Sequence, residues 1–442
     1  MELIEKGNWN KASLELKNDQ NNAVVDILDK FQYKQKTNDL LKDAVFTIKD
    51  NFATSFSKST ASSNFLKNFF PSYNATAIEK LLIAGALPIA KVNCDELALG
   101  GTGTFSANGL IKNPLDETRL AGGSSSGSVA TLTKNISFAL ASDTGDSVRL
   151  PASYNGKVGF KPSYGAISRY GLFAYASSLD TVAYFAHNVN DISIISQVLY
   201  GKDDKDFTSI DVKIDNIAIK KPKKIAFLNT KKINEKLYEN FISLYKNLNS
   251  DKEIKIDLIE PNITILKAIK PTYDVISYSE ASSNLSNLNG IAFGERINGN
   301  NWNETMTNSR SKGFGYMVQR RLTLGSFFLY SENQAEIFIK AQKARRVIKN
   351  YLDDLHSKYD IVIFPASADV APLIKGENKN YDYMEYILTG DNLVGNPSIT
   401  IPFMRINNLP INLAISSKIY SDENLLSFAL WIEKYLKDTK YE

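Results

Sequence analysis

The chain has 442 residues, of which 43% are apolar and 23% are charged, so it can form a packed globular core and is neither disordered nor fibrous. Its net charge of +4, from 52 basic and 48 acidic side chains, argues against a dedicated nucleic-acid binder. The single cysteine excludes an intrachain disulfide, and the N-terminus lacks the pattern of a secretory signal. No stretch approaches the ~20 apolar residues of a membrane helix. We therefore expect a soluble protein of a reducing compartment, the cytoplasm.

The first half of the chain alternates between helical and strand patterns. One or two helices are predicted within residues 10–35 from apolar residues at helical spacing, namely Leu14, Val24, Ile27, Leu28 and Phe31. A strand over 43–48 then leads into Lys49. A helix over 75–85, a strand over 87–92 and another strand over 137–141 follow. This alternation predicts an α/β architecture.

The second half continues the alternation without a linker, an internal repeat or a low-complexity tract. Strands are predicted at 224–228 and 254–259 around a helix at 232–247, and helices at 310–330 and 333–356. Strands at 359–364, 397–402 and 411–416 precede a last helix at 422–437. We therefore predict a single domain over residues 1–442.

Several classes of active site are poorly supported by the sequence. The sequence contains no G-x-S-x-G motif whose serine a histidine could activate as a base. A structural role is therefore favoured for both histidines, His187 and His356. One cysteine and two isolated histidines offer no metal-ligand spacing. Residues 100–103 lack the third Rossmann glycine and the Gly-Lys-Ser/Thr of a P-loop.

Three short motifs remain: one ends the Gly- and Ser-rich segment over 99–128, one follows it after a short helix and strand, and one follows the early strand over 43–48. Residues 122–128 read G-G-S-S-S-G-S, residues 143–149 read D-T-G-D-S-V-R, and residues 48–51 read I-K-D-N. Together they resemble the amidase signature family, whose motifs are G-G-S-S-G-G-S, D-T-G-G-S-I-R and an upstream K-D-N in the same order. The resemblance implies an α/β fold with a large twisted mixed β-sheet flanked by helices on both faces. It also implies a helical N-terminal segment, about residues 1–40, that is shorter than usual.

The resemblance assigns catalytic roles to three residues of this chain. Ser147 corresponds to the nucleophile that attacks an amide carbonyl, Ser124 to the serine that relays its proton, and Lys49 to the base. Such a base must lose its charge, which requires burial or hydrogen bonding. The resemblance places the oxyanion-stabilising backbone N–H groups on Thr144, Gly145, Asp146 and Ser147.

Two positions depart from the family pattern. Asp146 stands where the family has glycine, directly before the expected nucleophile, and Ser126 stands where glycine is usual in the first turn. Two explanations for Asp146 are open. The position is a turn that tolerates substitution and has simply changed, or the aspartate tunes the activity of the site. Neither change removes a reacting group.

Within the family, residues 167–180 and 279–285 are most similar to the A subunits of glutamyl-tRNA(Gln) amidotransferases. This implies a glutamine amidase that supplies ammonia to convert Glu-tRNA(Gln) to Gln-tRNA(Gln), with the B and C subunits of the amidotransferase as partners. The B subunit would use ATP and Mg²⁺, so no cofactor or metal is expected in this chain. Arg321 and Glu385 would hold the α-carboxylate and the α-ammonium of glutamine. A stand-alone amidase for another small amide and a catalytically silent scaffold remain alternatives.

Overall fold

A single mixed β-sheet of eleven strands organises the chain in the computed structural model, which describes residues 2–30 and 39–439. The strand order is β1-β3-β2-β4-β6-β5-β10-β11-β9-β7-β8. The strands are β1 (Val24–Ile27), β2 (Val45–Lys49), β3 (Leu87–Val92), β4 (Phe138–Asp143), β5 (Val158–Lys161), β6 (Thr181–Ala186), β7 (Lys224–Leu228), β8 (Lys255–Ile259), β9 (Ile361–Pro365), β10 (Ser398–Ile406) and β11 (Leu409–Ser416).

Helices alternate with these strands along the chain and cover the sheet. They are α1 (Trp9–Lys17), α2 (Thr76–Ile83), α3 (Ser126–Ala130), α4 (Arg149–Asn155), α5 (Val189–Leu199), α6 (Glu235–Asn249), α7 (Ile263–Asn284), α8 (Trp302–Gly313), α9 (Tyr316–Leu329), α10 (Ser331–Gln334), α11 (Lys340–Lys358), α12 (Gly390–Val394) and α13 (Asp422–Thr439). A π-helical turn, Ala335–Ile339, joins α10 to α11, and short 3₁₀ turns span Asn64–Leu66, Glu96–Ala98 and Asp382–Thr389. Among these helices, none is both long enough and apolar enough to cross a lipid bilayer.

The central strands are buried on both faces, which explains their nearly continuous apolar sequences. In β4, Phe138 and Leu140 join the larger hydrophobic core, whereas Ala139 and Ala141 point into a second core on the opposite face. Successive side chains of a strand point to opposite faces, so the sheet separates these two cores. Helices α2 and α5 contribute to the larger core, and α1 and α4 to the second. The predicted α/β fold with helices on both faces is confirmed.

The N-terminal segment differs from the prediction. The helix predicted within residues 10–35 is present as α1, but Val24–Ile27 forms strand β1 at the edge of the sheet, so the prediction of a helical segment over about 1–40 is wrong there. β1 pairs antiparallel with β3, and its β-branched residues suit a strand that completes the hydrogen bonds of that neighbour. Phe31, which the helical pattern includes, lies outside the described residues.

Parallel pairing in the middle of the sheet brings two motifs together. β2 pairs in parallel with both β3 and β4, so the carboxyl ends of β2 and β4 lie at the same edge. Lys49 ends β2, and Ser142 and Asp143 end β4. The strand pairing alone therefore places the lysine motif beside the second glycine turn.

Candidate active site

Lys49 is fully buried and its amino group lies at the centre of a cluster of serine hydroxyls. Its Nζ donates to the Oγ of Ser124 at 2.8 Å, to that of Ser125 at 3.0 Å and to that of Ser142 at 2.9 Å. Asn51, from the same motif, donates its side-chain amide to Ser142 Oγ at 3.0 Å. The structure therefore brings Lys49 and Ser124, two of the residues singled out from the sequence, into direct contact.

Burial changes the protonation of this lysine. It lowers the pKa of Lys49 to about 8, although the nearby carboxylates of Asp95 and Asp143 favour the charged form. An amine with such a pKa is partly neutral near neutral pH, and only the neutral amine can accept a proton. Lys49 thus has the property that a general base requires.

The first glycine turn, which carries Ser124, is hydrogen-bonded to a loop whose backbone N–H groups donate to the carboxylate of Asp95. The peptide bond from Gly123 to Ser124 is cis, and the Ser124 carbonyl accepts from the backbone N–H of Asp95 at 3.2 Å. One oxygen of Asp95 accepts from the backbone N–H groups of Gly101 at 2.7 Å and Thr102 at 3.1 Å. A Cβ on Gly123 would lie 2.4 Å from this oxygen. The position therefore has no room for a side chain.

The second glycine turn is held by a buried ion pair. Arg149 and Asp143 are both fully buried, and their closest charged atoms are 3.1 Å apart. Arg149 also donates to the Gly145 carbonyl at 2.9 Å, while Asp143 accepts from the backbone N–H of Val148 at 3.0 Å. Asn392 of α12 donates to Asp143 at 2.9 Å. These bonds fix the backbone on both sides of Ser147.

Ser147 lies beside the first turn with a free hydroxyl. Its carbonyl accepts from the backbone N–H of Ser125 at 3.3 Å, and its side chain is only slightly exposed. Across residues 2–30 and 39–439, the Ser147 hydroxyl has no hydrogen-bond partner, so the direct link from Ser124 to Ser147 is not made in this conformation.

The backbone N–H groups next to Ser147 are free to donate hydrogen bonds to a ligand. No acceptor among the residues that the structure describes is found for the backbone N–H groups of Gly145, Asp146 and Ser147. Consecutive backbone N–H groups that have no protein acceptor are available to stabilise an oxyanion. Thr144, the fourth predicted member, is held through its side-chain hydroxyl, which donates to Asp180 at 2.7 Å.

Arg321 and Glu385, both predicted to bind substrate, have different environments. Arg321 of α9 is buried and donates to the hydroxyl of Tyr175 and to the Gly100 carbonyl, each at 2.9 Å, while its buried Nε has no partner in the described part of the chain. Glu385, in the 3₁₀ turn Asp382–Thr389, is exposed, and its Oε1 accepts from the backbone N–H of Tyr381 at 3.4 Å. The structure gives no ion pair between the two. Arg321 is held in place as a binding group would be, whereas Glu385 is not.

Tyrosines around Arg321 are not identified from the sequence. The Arg321 guanidinium lies 5.2 Å from the ring centre of Tyr278 and 5.8 Å from that of Tyr175. Burial lowers the pKa of Arg321, but Tyr175 and Tyr278 outweigh this effect, so its pKa lies above the usual range. A Cβ on Gly145 would lie 3.0 Å from the hydroxyl of Tyr273. These tyrosines lie on α7 and in the loop after β5, and no local motif marks them.

Removing the buried cation of the second turn should destabilise the protein. We expect Arg149→Leu to lower the free energy of unfolding by about 3–5 kcal/mol, because Asp143 would stay buried without its partner. Thermal unfolding followed by circular dichroism measures the effect. The exposed Arg405 donates to a nearby carbonyl, and Arg405→Leu is the matched control with little expected change. Equal melting temperatures for both variants would contradict the stabilising role of Arg149.

Comparisons with known proteins agree with the motifs. A model of the amidase family matches residues 8–426. The chain is 38% identical to the A subunit of glutamyl-tRNA(Gln) amidotransferase from Mycoplasma genitalium, over 96% of this chain and 93% of that protein. It is 37% identical to the same subunit of Sulfurisphaera tokodaii, over 94% of this chain and 90% of that protein. The crystal structure of the Thermotoga maritima counterpart of these proteins is similar with a TM-score of 0.79 at 32% identity, and the match covers 97% of this chain and 91% of that one.

Proposed function

The chain belongs to the amidase family, and from that premise we propose that it is the glutamine-hydrolysing A subunit of a glutamyl-tRNA(Gln) amidotransferase. The observation that carries the chemistry is the buried Lys49 amine hydrogen-bonded to Ser124 at 2.8 Å. The near full-length similarity to amidotransferase A subunits supports the choice of glutamine over another amide. The stand-alone amidase is not favoured by these relatives.

In the proposed mechanism, Ser147 attacks the side-chain amide carbonyl of glutamine. Neutral Lys49 accepts the proton of Ser124, and Ser124 in turn accepts the proton of Ser147 as the new C–O bond forms. Collapse of the tetrahedral intermediate returns a proton to the leaving ammonia and leaves a glutamyl ester on Ser147. Water then hydrolyses the ester, with the same groups moving the protons, and releases glutamate.

The developing negative charge is proposed to be stabilised by the backbone N–H groups of residues 144–147. In the described residues the N–H groups of Gly145, Asp146 and Ser147 have no protein acceptor, which supports this role, since free donors need break no other hydrogen bond to bind an oxyanion. The ion pair between Arg149 and Asp143 holds this turn in place.

We propose that the acceptor of the ammonia is Glu-tRNA(Gln), bound by other subunits of the complex. The relatives are named as one subunit of an amidotransferase, which indicates a multi-subunit enzyme. The B and C subunits are the proposed partners, and the B subunit would activate the glutamyl group with ATP and Mg²⁺. This chain then needs no cofactor, and because the acceptor is a tRNA, the cytoplasm is the proposed site of action.

Affinity purification from the source cell tests this function. The tagged chain should bring down stoichiometric partner subunits, and the purified complex should form Gln-tRNA(Gln) from Glu-tRNA(Gln), glutamine and ATP. Hydrolysis of simple amides by a chain that purifies alone, with no action on glutamine, would contradict the proposal and favour the stand-alone amidase.

Arg321 is the proposed partner of the glutamine α-carboxylate, because its free Nε and fixed guanidinium suit a carboxylate. We expect Arg321→Ala to raise KM for glutamine by roughly 30-fold or more, corresponding to the 2 kcal/mol or more lost when one partner of a buried charge pair is removed. The amide 4-aminobutanamide, which lacks the carboxylate, should be affected far less. A parallel loss on both amides in steady-state kinetics would refute a role in carboxylate recognition.

A further inference from the structure

The proposed function gives no role to the loop over residues 100–105, which we name the Asp95 loop. Its backbone contacts the turn of Ser124 and the guanidinium of Arg321, and its N–H groups donate to the carboxylate of Asp95. We propose that Asp95 is a positioning residue that, through this loop, couples the binding of a substrate carboxylate by Arg321 to the reactivity of Ser124 and Lys49. This inference rests on the proposed function and deepens it, because it names a residue through which recognition affects catalysis.

The first argument is the way in which Asp95 holds the loop. The Asp95 side chain is fully buried. Its Oδ2 accepts from the backbone N–H groups of Gly101 at 2.7 Å and of Thr102 and Gly103, each at 3.1 Å. Its Oδ1 accepts from the backbone N–H of Phe105 at 2.9 Å. One carboxylate thus pairs four amide donors of a short loop, and it fixes the backbone of that loop because buried donors left unpaired are unfavourable.

The second argument is the contact of the loop with the first glycine turn. The Gly101 carbonyl accepts from the backbone N–H of Gly123 at 2.9 Å, and the backbone N–H of Asp95 donates to the Ser124 carbonyl at 3.2 Å. These two bonds hold both residues of the peptide unit that leads into Ser124. A displacement of the loop would therefore displace Ser124, whose Oγ lies 2.8 Å from the amine of Lys49.

The third argument is the contact of the same segment with Arg321. The guanidinium donates to the Gly100 carbonyl at 2.9 Å, so its position depends on the Asp95 loop. Glu96, the residue after Asp95, is buried and accepts at 2.8 Å from the backbone N–H of Gly315, which directly precedes α9. The segment therefore holds Arg321 directly and through the start of its helix. A carboxylate bound by Arg321 in this position also favours the loop conformation that contacts the first glycine turn.

The fourth argument is electrostatic and concerns the base. Burial disfavours the charged form of Lys49, and four groups that face the amine favour it, namely Cys94, Asp95, Asp143 and Asp180. Burial raises the pKa of the Cys94 thiol to about 12, so this group carries no charge near neutral pH. The carboxylate of Asp143 forms an ion pair with Arg149. Asp95 therefore helps to keep the pKa of Lys49 above the value that burial alone would give.

The test uses the purified complex with two amides, glutamine and 4-aminobutanamide, which lacks the α-carboxylate. We expect Asp95→Asn to lower the ratio of kcat/KM for glutamine to that for 4-aminobutanamide by about 10-fold, because an amide side chain cannot accept from all four loop donors. The midpoint of the rise of kcat/KM with pH, about 8 in the wild-type enzyme, should fall by about 0.5 to 1 pH unit for either amide. The fall follows because the lost charge favours protonated Lys49.

Two variants separate the charge of Asp95 from the position of its loop. Glu96→Gln is the matched control, since it neutralises the adjacent buried carboxylate, which is not among the groups that favour charged Lys49 in the described part of the chain. Gly100→Ala keeps every carboxylate, but its Cβ would overlap the carboxyl group of Asp95 and so displace the loop. Both variants should lower the ratio for the two amides and leave the pH midpoint at about 8.

A double variant tests the coupling. In an Arg321→Ala background, Asp95→Asn should lower the ratio by less than about 2-fold, because the arginine whose position depends on the loop is already absent. Two effects that simply multiply would show that Asp95 acts on the ratio without Arg321, and this result would overturn the inference.

The remaining outcomes distinguish this inference from the proposed function. A lower ratio and a lower pH midpoint in Asp95→Asn, with the midpoint retained in Glu96→Gln and Gly100→Ala, support the inference. An unchanged ratio or midpoint in Asp95→Asn overturns it, as does an equal shift of the midpoint in all three variants. If Asp95→Asn does not fold, an unchanged ratio in Gly100→Ala overturns it. None of these results affects glutamine hydrolysis as the activity, whereas a wild-type complex that does not hydrolyse glutamine would overturn the proposed function and the inference with it.

Discussion

Ser147→Ala is expected to lower glutamine hydrolysis by roughly 10⁴- to 10⁶-fold, the range found when a serine nucleophile is removed. The loss follows because the other groups around Ser147, the Lys49 amine and the unpaired backbone donors, cannot form the covalent intermediate. Release of glutamate from glutamine measures it. In the complex, Gln-tRNA(Gln) should still form when ammonium chloride replaces glutamine, since the proposed activation of the glutamyl group takes place on another subunit.

A second buried serine provides the control for this experiment. Ser126 lies in the same turn as Ser124 and its hydroxyl has no partner in the described residues, so Ser126→Ala should keep most of the activity. Equal loss of glutamine-dependent and ammonium-dependent transamidation in Ser147→Ala would show that the residue is needed for folding or assembly, and not as the nucleophile.

Lys49→Ala is expected to lower kcat by several orders of magnitude, about 10⁴-fold or more, because among the described residues the Ser124 hydroxyl bonds to no side chain other than Lys49. The lysine must be neutral to act, and its pKa is about 8. In the wild-type enzyme, kcat/KM should therefore rise with pH through about 8 and level off above it. Initial rates measured over a series of pH values test this rise in kcat/KM.

Lys49→Arg separates the loss of a base from the loss of a buried cation. Arginine keeps the charge and the donors but stays protonated, so this variant should be as inactive as Lys49→Ala while remaining folded. His187→Gln should leave the activity nearly unchanged, since His187 contacts the backbone of Ile136, away from Lys49. An active Lys49→Arg, or an inactive but folded His187→Gln, would refute lysine as the base.

The proposed reacting residues could be located from the sequence because each lies in a short motif at the end of a strand or in a glycine turn. Lys49 and Ser142 meet because β2 and β4 are parallel neighbours, and Ser124 belongs to a turn whose glycines leave no room for side chains. The strands predicted at 87–92 and 224–228 are present with the same bounds, since continuous apolar runs are typical of buried strands.

The remaining features depend on contacts between distant segments. Helix α7 is not predicted from the sequence, because Pro271 and many hydroxyl side chains interrupt its apolar pattern, and its stability comes from packing against α9 and α11. The same packing positions the tyrosines of α7 near Arg321, so their place in the site could not be predicted from the sequence. The helical spacing through Val24 and Ile27 is misleading, because pairing with the edge of β3 decides the structure there.

The bond between Asp143 and Asn392 also determines when the enzyme can become active during its synthesis. The two residues are 249 positions apart, and β10, which follows Asn392, pairs with β5 and β11 in the interior of the sheet. A ribosome delivers the N-terminal segments first, so the nascent chain holds Arg149 and Asp143 for most of translation without the segment that completes their surroundings. Loop closure over such long separations makes folding slow. A chain released before residue 392 would therefore lack the contact that completes the second glycine turn, and interrupted translation would yield no partly active enzyme.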